Sequence, residues 1–158
     1  EDQMESAVVD LLRKKGCTLA AAESCTGGLI SDRITNVPGA SDVFLEGCVT
    51  YSNQAKTTRL GVSPETLAAY GAVSMQTARE MAVGIRKTSK ADIGIAITGI
   101  AGPGGGSVQK PVGLVYMAIA DQNGAEAKKF RLTGNRIRIK NGSAMRLLNW
   151  LRLHLIEV

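Results

Sequence analysis

The sequence is poor in the residues on which many catalytic and metal sites depend. It has one histidine, three cysteines and one tryptophan in 158 residues, and aromatic residues make up only 4% of it. Cysteines that form no C-x-x-C pair argue against a disulfide framework or a thiolate zinc site. A Ser-His-Asp triad, a Cys-His pair or a histidine-rich metal site would need His154, which we interpret as structural. We therefore expect no metal and no cofactor.

Long hydrophobic runs are absent as well. No stretch of about 18 apolar residues occurs, so the sequence predicts no membrane-spanning helix and no membrane partner. The acidic start, Glu1 to Met4, lacks the apolar segment of a signal peptide. We expect a cytoplasmic protein. Because residue 1 is not Met, the sequence is also compatible with a preceding domain.

The composition that remains is typical of a globular α/β domain. Hydrophobic residues make up 44% of the chain, charged residues 21%, and there are 18 glycines. These values predict one domain over residues 1–158, with a core of Ala, Val, Ile and Leu and with close backbone approaches at glycine.

Positive charge is concentrated near the C-terminus. The segment 127–156 contains eight Lys or Arg residues and no acid. Such a segment is either a solvated face or a contact for phosphate or nucleic acid. A nucleic-acid partner is the weaker interpretation, because few aromatic residues are available to stack on bases.

Apolar periodicity predicts alternating helices and strands. Helices are expected over 3–15, 29–34, 53–60, 64–70, 74–87 and 141–156, and strands over 18–22, 43–52, 92–97, 111–120 and 125–132. The Asn123-Gly124 step predicts a hairpin between the last two strands. This order predicts an α/β sandwich with a mixed sheet that is largely parallel in its first half. Two unusual loops, after Ala22 and after Ile97, would then follow the carboxyl ends of strands, where ligands of such sheets bind.

The first loop offers a candidate nucleophile. Ser24 lies at a strand-to-helix turn and is followed by Thr26-Gly27-Gly28, so its hydroxyl and free N–H groups of the helix start could form a nucleophile and an oxyanion hole. Alternatively, Ser24 only caps the helix. Cys25 is a second candidate but lacks a cationic partner. A lysine can replace histidine as the base if its amine is neutral, and Lys56, five residues after Tyr51, is one candidate.

The second loop, 98–107, is rich in glycine but matches neither a P-loop nor a Rossmann fingerprint. It either lines a ligand with backbone N–H groups or forms a flexible surface turn.

Four blocks of this sequence resemble the CinA C-terminal-domain family, the nicotinamide-nucleotide amidases. They occur in the family's order at 22–28 (AESCTGG), 49–56 (VTYSNQAK), 98–106 (TGIAGPGGG) and 110–113 (KPVG). The resemblance implies a three-layer α/β/α sandwich that hydrolyses nicotinamide mononucleotide, a small nucleotide, to nicotinate mononucleotide and ammonia. It implies Ser24 as nucleophile, Lys56 as base and Tyr51 as the supporting phenol. It implies that the substrate is lined by Thr26, Gly27, Thr98, Gly99, Gly102, Gly104, Gly105, Arg136 and Lys140.

Two positions depart from the family pattern. Asn135 stands where the family has Asp, and Lys140 stands where Arg is common, which replaces a two-pronged donor by a point charge. We therefore keep a second hypothesis, a catalytically silent nucleotide-binding or competence-linked partner module of the same fold. A homo-oligomer, most simply a dimer, is expected only because small enzymes commonly form one.

Overall fold

The structure is a computed structural model that describes residues 4–157. The helices are α1 (Met4–Lys15), α2 (Leu29–Thr35), α3 (Asn53–Leu60), α4 (Pro64–Tyr70), α5 (Met75–Ser89) and α6 (Arg136–Glu157). The strands are β1 (Leu19–Glu23), β2 (Phe44–Val49), β3 (Ile93–Gly99), β4 (Leu114–Asp121) and β5 (Gly124–Arg131). A 3₁₀ turn, Ala40–Asp42, precedes β2. Gln3, the first residue of the predicted first helix, lies outside the described residues.

The five strands form one mixed sheet in the order β2-β1-β3-β4-β5. β1 runs parallel to both β2 and β3, whereas β4 is antiparallel to β3 and forms a hairpin with β5. The expected mixed sheet with a parallel first half is therefore confirmed. Because β1, β2 and β3 point the same way, the loops that follow them meet at one edge of the sheet.

Helices cover both faces of the sheet, which gives the three layers that the resemblance implied. The core on one face contains buried residues of α1, α2 and α6. The core on the other face is built around α5 and the alanines of the central strands, among them Ala20, Ala22 and Ala96. Small residues are required there because α5 packs closely: a Cβ at Gly94 would lie 2.4 Å from the carbonyl oxygen of Ala82. No helix within residues 4–157 combines the length and the apolar character needed to cross a bilayer.

Serine side chains cap three of the helices. Ser52, Ser63 and Ser74 each accept a hydrogen bond from a backbone N–H in the first turn of α3, α4 and α5. Such a cap satisfies one of the amides that a helix start otherwise leaves without a partner. At its other end α3 stops at Gly61, whose φ of 74° is in the left-handed region. Both ends of the helix that carries Lys56 are thus determined locally.

Some predicted boundaries are wrong, most clearly that of the last helix. α6 begins at Arg136 rather than Asn141, because the Asn135 side chain caps it by accepting a hydrogen bond from Arg138 N–H at 2.9 Å. The segment 136–140 alternates basic and apolar residues, so it lacks the helical spacing that would have shown the true start. The predicted strands are also too long, since β2 ends at Val49 and β4 begins only at Leu114.

Candidate active site

Ser24 lies at the edge of the sheet where β1, β2 and β3 end. It directly follows β1, and its backbone N–H donates to the carbonyl of Ile97 at 3.1 Å, which continues the pairing with β3. On the other side, Thr50 N–H donates to the carbonyl of Glu23 at 2.9 Å. The backbone around the Ser24 hydroxyl is therefore held by both neighbouring strands, and 8% of the residue remains exposed.

Lys56 points from α3 into this edge and is buried, with 1% of its surface exposed. Its Nζ lies 3.0 Å from Ser24 Oγ, 2.8 Å from the carbonyl oxygen of Thr50 and 3.2 Å from that of Tyr51. The structure thus brings together two residues that are 32 positions apart in the sequence.

The three contacts of Lys56 Nζ differ in whether the partner can donate a hydrogen bond. Carbonyl oxygens only accept hydrogen bonds, so Thr50 and Tyr51 engage two N–H groups of the amine. In a neutral amine these two contacts use both N–H groups, which leaves the lone pair for the Ser24 hydroxyl at 3.0 Å. The hydroxyl can then donate to the amine, which is the arrangement that a general base requires.

Burial supports the same assignment through the pKa values of the two candidate groups. Desolvation lowers the pKa of Lys56, because an ammonium ion is disfavoured away from water. Desolvation raises the pKa of the neighbouring Cys25 thiol to about 12. The thiol therefore stays protonated at neutral pH, which argues against Cys25 as the nucleophile.

The N-terminus of α2 is occupied by a side chain of the protein itself. Glu23 is fully buried, and its carboxylate accepts hydrogen bonds from the backbone N–H groups of Gly28, Ile30 and Ser31 and from the hydroxyls of Thr26 and Ser31. The expectation that free amides of this helix start form an oxyanion hole is therefore wrong for those three amides.

Two amides of the same turn remain. In the part of the chain that the structure describes, the backbone N–H groups of Cys25 and Thr26 donate to no other residue. Sequence reasoning gave Glu23 no role, although a carboxylate at the end of a buried alanine strand requires nearby donors.

Tyr51 is placed differently from the expectation for a phenol that supports Ser24 and Lys56. Its side chain is 59% exposed, and its hydroxyl accepts a hydrogen bond from Arg136 Nη2 at 3.1 Å. Only its carbonyl contacts Lys56. Arg136 also donates through Nη1 to the carbonyl of Gly102 at 2.6 Å. Arg136 thus links the loop after β2 to the glycine loop after β3.

Lys140 lies one helical turn after Arg136 and beside the nucleophile turn. A Cβ at Gly27 would come within 3.6 Å of Lys140 Nζ. Within residues 4–157 this ammonium group has no hydrogen bond or ion pair. Gly27 has a φ of 62°, so glycine suits this position both for its backbone conformation and for the approach of Lys140.

The other predicted lining residues have structural contacts of their own. The Thr98 hydroxyl donates to the carbonyl of Ala72 at 2.9 Å. Gly99 packs against β4, where a Cβ would lie 2.8 Å from the Leu114 carbonyl oxygen. Gly104 and Gly105 lie in the exposed part of their loop. No contact joins these four residues to Ser24 or Lys56 in the structure, so their role toward a ligand stays a prediction.

Asn135, which stands where the family has Asp, still caps α6. Asn135 caps α6 through its side-chain oxygen, and Asn and Asp are about equally effective at helix N-termini.

His154 lies far from Ser24. His154 Nε2 lies 3.0 Å from Asp121 Oδ2, at the end of β4 and therefore at the opposite edge of the sheet. Among the described residues no three His, Cys, Asp or Glu side chains are grouped so that they could hold a metal ion.

Comparisons with known proteins agree with this architecture. Residues 1–155 match the family described as the CinA C-terminal domain, so the chain belongs to that family. It is 53% identical over 158 residues to a CinA-like protein of Kosmotoga olearia. The chain spans only 38% of the length of that relative.

Solved structures share the fold over nearly the whole chain. The competence/damage inducible protein CihA of Agrobacterium tumefaciens aligns with a TM-score of 0.92 at 41% identity, covering 98% of this chain and 96% of that one. A CinA superfamily protein of Klebsiella pneumoniae aligns with a TM-score of 0.95 at 34% identity, covering 98% and 97%. The resemblance seen in the sequence is therefore confirmed at the level of family and fold.

Proposed function

We propose that this chain is an amidohydrolase that converts nicotinamide mononucleotide to nicotinate mononucleotide and ammonia, with Ser24 as nucleophile and Lys56 as base. The observation that carries the proposal is the buried Lys56 amine, which lies 3.0 Å from Ser24 Oγ while two backbone carbonyls hold its other hydrogens. The choice of substrate rests on the family resemblance. The name of the Agrobacterium tumefaciens protein refers to competence and damage induction, that of the Kosmotoga olearia protein says only that it is CinA-like, and neither states a substrate.

The proposed reaction has two halves. Ser24 Oγ attacks the carboxamide carbon while Lys56 accepts the hydroxyl proton, which gives a tetrahedral intermediate. Lys56 then delivers that proton to the amide nitrogen, the C–N bond breaks, and ammonia leaves an ester on Ser24. In the second half Lys56 takes a proton from water, and the resulting hydroxide attacks the ester carbon. That proton returns to Ser24 as the C–O bond breaks, and the carboxylic acid that is released loses its own proton to solvent, which gives the carboxylate.

The negative charge of the intermediate needs donors close to Ser24. The N–H groups of Cys25 and Thr26 are suited to this task, because they lie on the nucleophile turn and, within the described residues, donate to no other residue. The substrate's phosphate needs a cation at some distance from the amide. Lys140 is the freer candidate, because Arg136 already donates to Tyr51 and Gly102.

An ammonia-release assay with nicotinamide mononucleotide tests the proposal. The wild-type protein should release ammonia, and Ser24→Ala or Lys56→Met should lower turnover by about 10³-fold or more. Cys25→Ala is the matched control next to the nucleophile and should lose much less. A wild-type protein that binds the nucleotide without releasing ammonia would contradict the proposal and favour the silent binding module. Loss on Cys25→Ala with activity in Ser24→Ala would identify a different nucleophile.

A further inference from the structure

A second polar cleft lies between the end of β5 and the outer face of α6. It has a volume of about 360 Å³. Three of its lining residues are arginines, Arg131, Arg138 and Arg146, and the polar residues Thr133 and Asn141 line it as well. We refer to this cleft, defined by those five residues, as the arginine cleft.

The arginine cleft is distinct from the candidate active site. Arg138 follows Arg136 by two positions, which places it about 200° around α6 from the residue that contacts Tyr51 and Gly102. Arg146 lies two helical turns beyond Arg138, on its side of the helix. The amidase chemistry at Ser24 requires none of the cleft residues.

The three guanidinium groups of the cleft lack acidic partners. Within residues 4–157, none of them forms a hydrogen bond or an ion pair, and no acid occurs between positions 127 and 156. Cations that share a cleft repel one another, so an anion that enters it is favoured by all three at once. The uncompensated charge therefore indicates an anionic ligand.

Two features hold the cleft in place. The Arg146 guanidinium lies over the Phe130 ring, 5.9 Å from its centroid, which orients it on the helix surface. Gly142 stands between Arg138 and Arg146 along the same side of α6. A Cβ there would lie 2.7 Å from Leu132 Cδ2, so glycine lets the helix and the chain after β5 approach closely.

We propose that the arginine cleft binds the phosphate group of a small anionic ligand. Guanidinium groups offer paired N–H donors that match phosphate oxygens, and the Thr133 hydroxyl and Asn141 amide supply neutral donors beside them.

Nucleic acid fits this face less well. Both aromatic rings at this surface are covered by cations, since Lys128 lies 4.7 Å from the Trp150 ring centroid and Arg146 covers Phe130. Neither ring is open for a base to stack on, which single-stranded nucleic-acid sites generally use.

Calorimetric titration with inorganic phosphate and with pyrophosphate, at constant ionic strength, tests the proposal without relying on amidase activity. The Kd should rise at least tenfold in Arg138→Gln and in Arg146→Gln. Arg152→Gln is the matched control: it removes the same charge from the same helix, but Arg152 contacts Asn149 outside the cleft, so its Kd should stay within twofold of wild type. Lys140→Gln and Arg136→Gln should retain binding, because both side chains lie at the candidate active site.

Three outcomes would overturn the proposal. One is that wild-type protein binds neither anion at millimolar concentration. Another is that Arg152→Gln weakens binding as much as Arg138→Gln does, which would indicate a general effect of net charge. The third is that Lys140→Gln or Arg136→Gln abolishes binding while the cleft variants retain it, which would place the anion in the candidate active site. A further contradicting result is that a single-stranded oligonucleotide binds more tightly than pyrophosphate and that its binding depends equally on Arg138 and Arg152. This would identify a nucleic-acid surface instead of a small-ligand site.

Discussion

Replacing Glu23 by glutamine tests how the nucleophile turn is held. The amide has the shape of the carboxylate, and its oxygen can still accept from Thr26, Gly28 and Ile30. Its nitrogen, however, is a donor and would face the Ser31 N–H, which now lies 2.8 Å from Glu23 Oε2. The Ser31 hydroxyl can rotate and accept instead, but the backbone N–H cannot.

The expected loss of stability follows mainly from the Ser31 N–H, which would lack an acceptor. A buried donor left without an acceptor costs about 1–3 kcal/mol. Loss of a negative charge at the start of α2 adds about 1 kcal/mol. We expect Glu23→Gln to lower the free energy of unfolding by about 2–4 kcal/mol. For a chain of this size each kcal/mol lowers Tm by about 2–4 °C, so Tm should fall by about 4–16 °C.

Thermal unfolding followed by circular dichroism at pH 7 measures this loss. Glu65→Gln is a suitable control, because Glu65 is an exposed acid in the first turn of α4 and its substitution should change Tm by no more than about 2 °C. The kcat of Glu23→Gln should also fall, since Ser24 directly follows the residue that changes. The reasoning is refuted if Glu23→Gln is as stable as wild type, or if both variants lose the same amount.

The remaining predictions concern the base, the cations and the cap. Activity should rise with pH through the lowered pKa of Lys56, because only the neutral amine accepts a proton. Lys56→Arg should be nearly inactive, because a guanidinium group stays protonated. A flat pH–rate profile or an active Arg variant would show that Lys56 acts only as a positive charge. Lys140→Gln should raise KM for nicotinamide mononucleotide about ten- to a hundredfold and leave KM for the riboside unchanged. Arg136→Ala should lower kcat/KM for both substrates, because it releases the two loops that Arg136 contacts. Steady-state kinetics on the two substrates distinguishes these patterns. The free energy of unfolding of Asn135→Asp should lie within about 0.5 kcal/mol of the wild-type value, whereas that of Asn135→Ala should be lower by about 1 kcal/mol. Equal losses of the two variants in urea unfolding would disprove the capping role. Turnover should survive dialysis against EDTA, and a loss that one divalent ion restores would contradict a serine mechanism.

The fold could be predicted from the sequence because its signals are local. The serine caps, the glycine after α3 and the alternating isoleucines of β3 each depend on a few neighbouring residues. The start of α6 could not be predicted in this way. There the helix is set by the Asn135 cap and by packing of Ile139 into the core, and both are visible only once the chain is folded.

The candidate site was predictable only in part, because its contacts join distant segments. Ser24 and Lys56 were paired through the family resemblance, since no periodicity relates residues on β1 and α3. For Tyr51 the resemblance implied a supporting phenol, whereas in the structure its carbonyl contacts Lys56. Glu23 was missed because its five hydrogen bonds use mostly backbone donors, which leave little trace in residue identity.

The carbonyls that hold Lys56 have a consequence for how this site tolerates sequence divergence. Both are main-chain groups, so any amino acid at positions 50 and 51 supplies the same two acceptors. Substitutions there can alter the surroundings of the site, as Tyr51 does through Arg136, while the orientation of the amine persists. The orientation of the amine should instead be sensitive to the backbone conformation between β2 and α3, because a change there moves both carbonyls. A single inserted residue in that short connection should therefore do more damage than most replacements of its side chains.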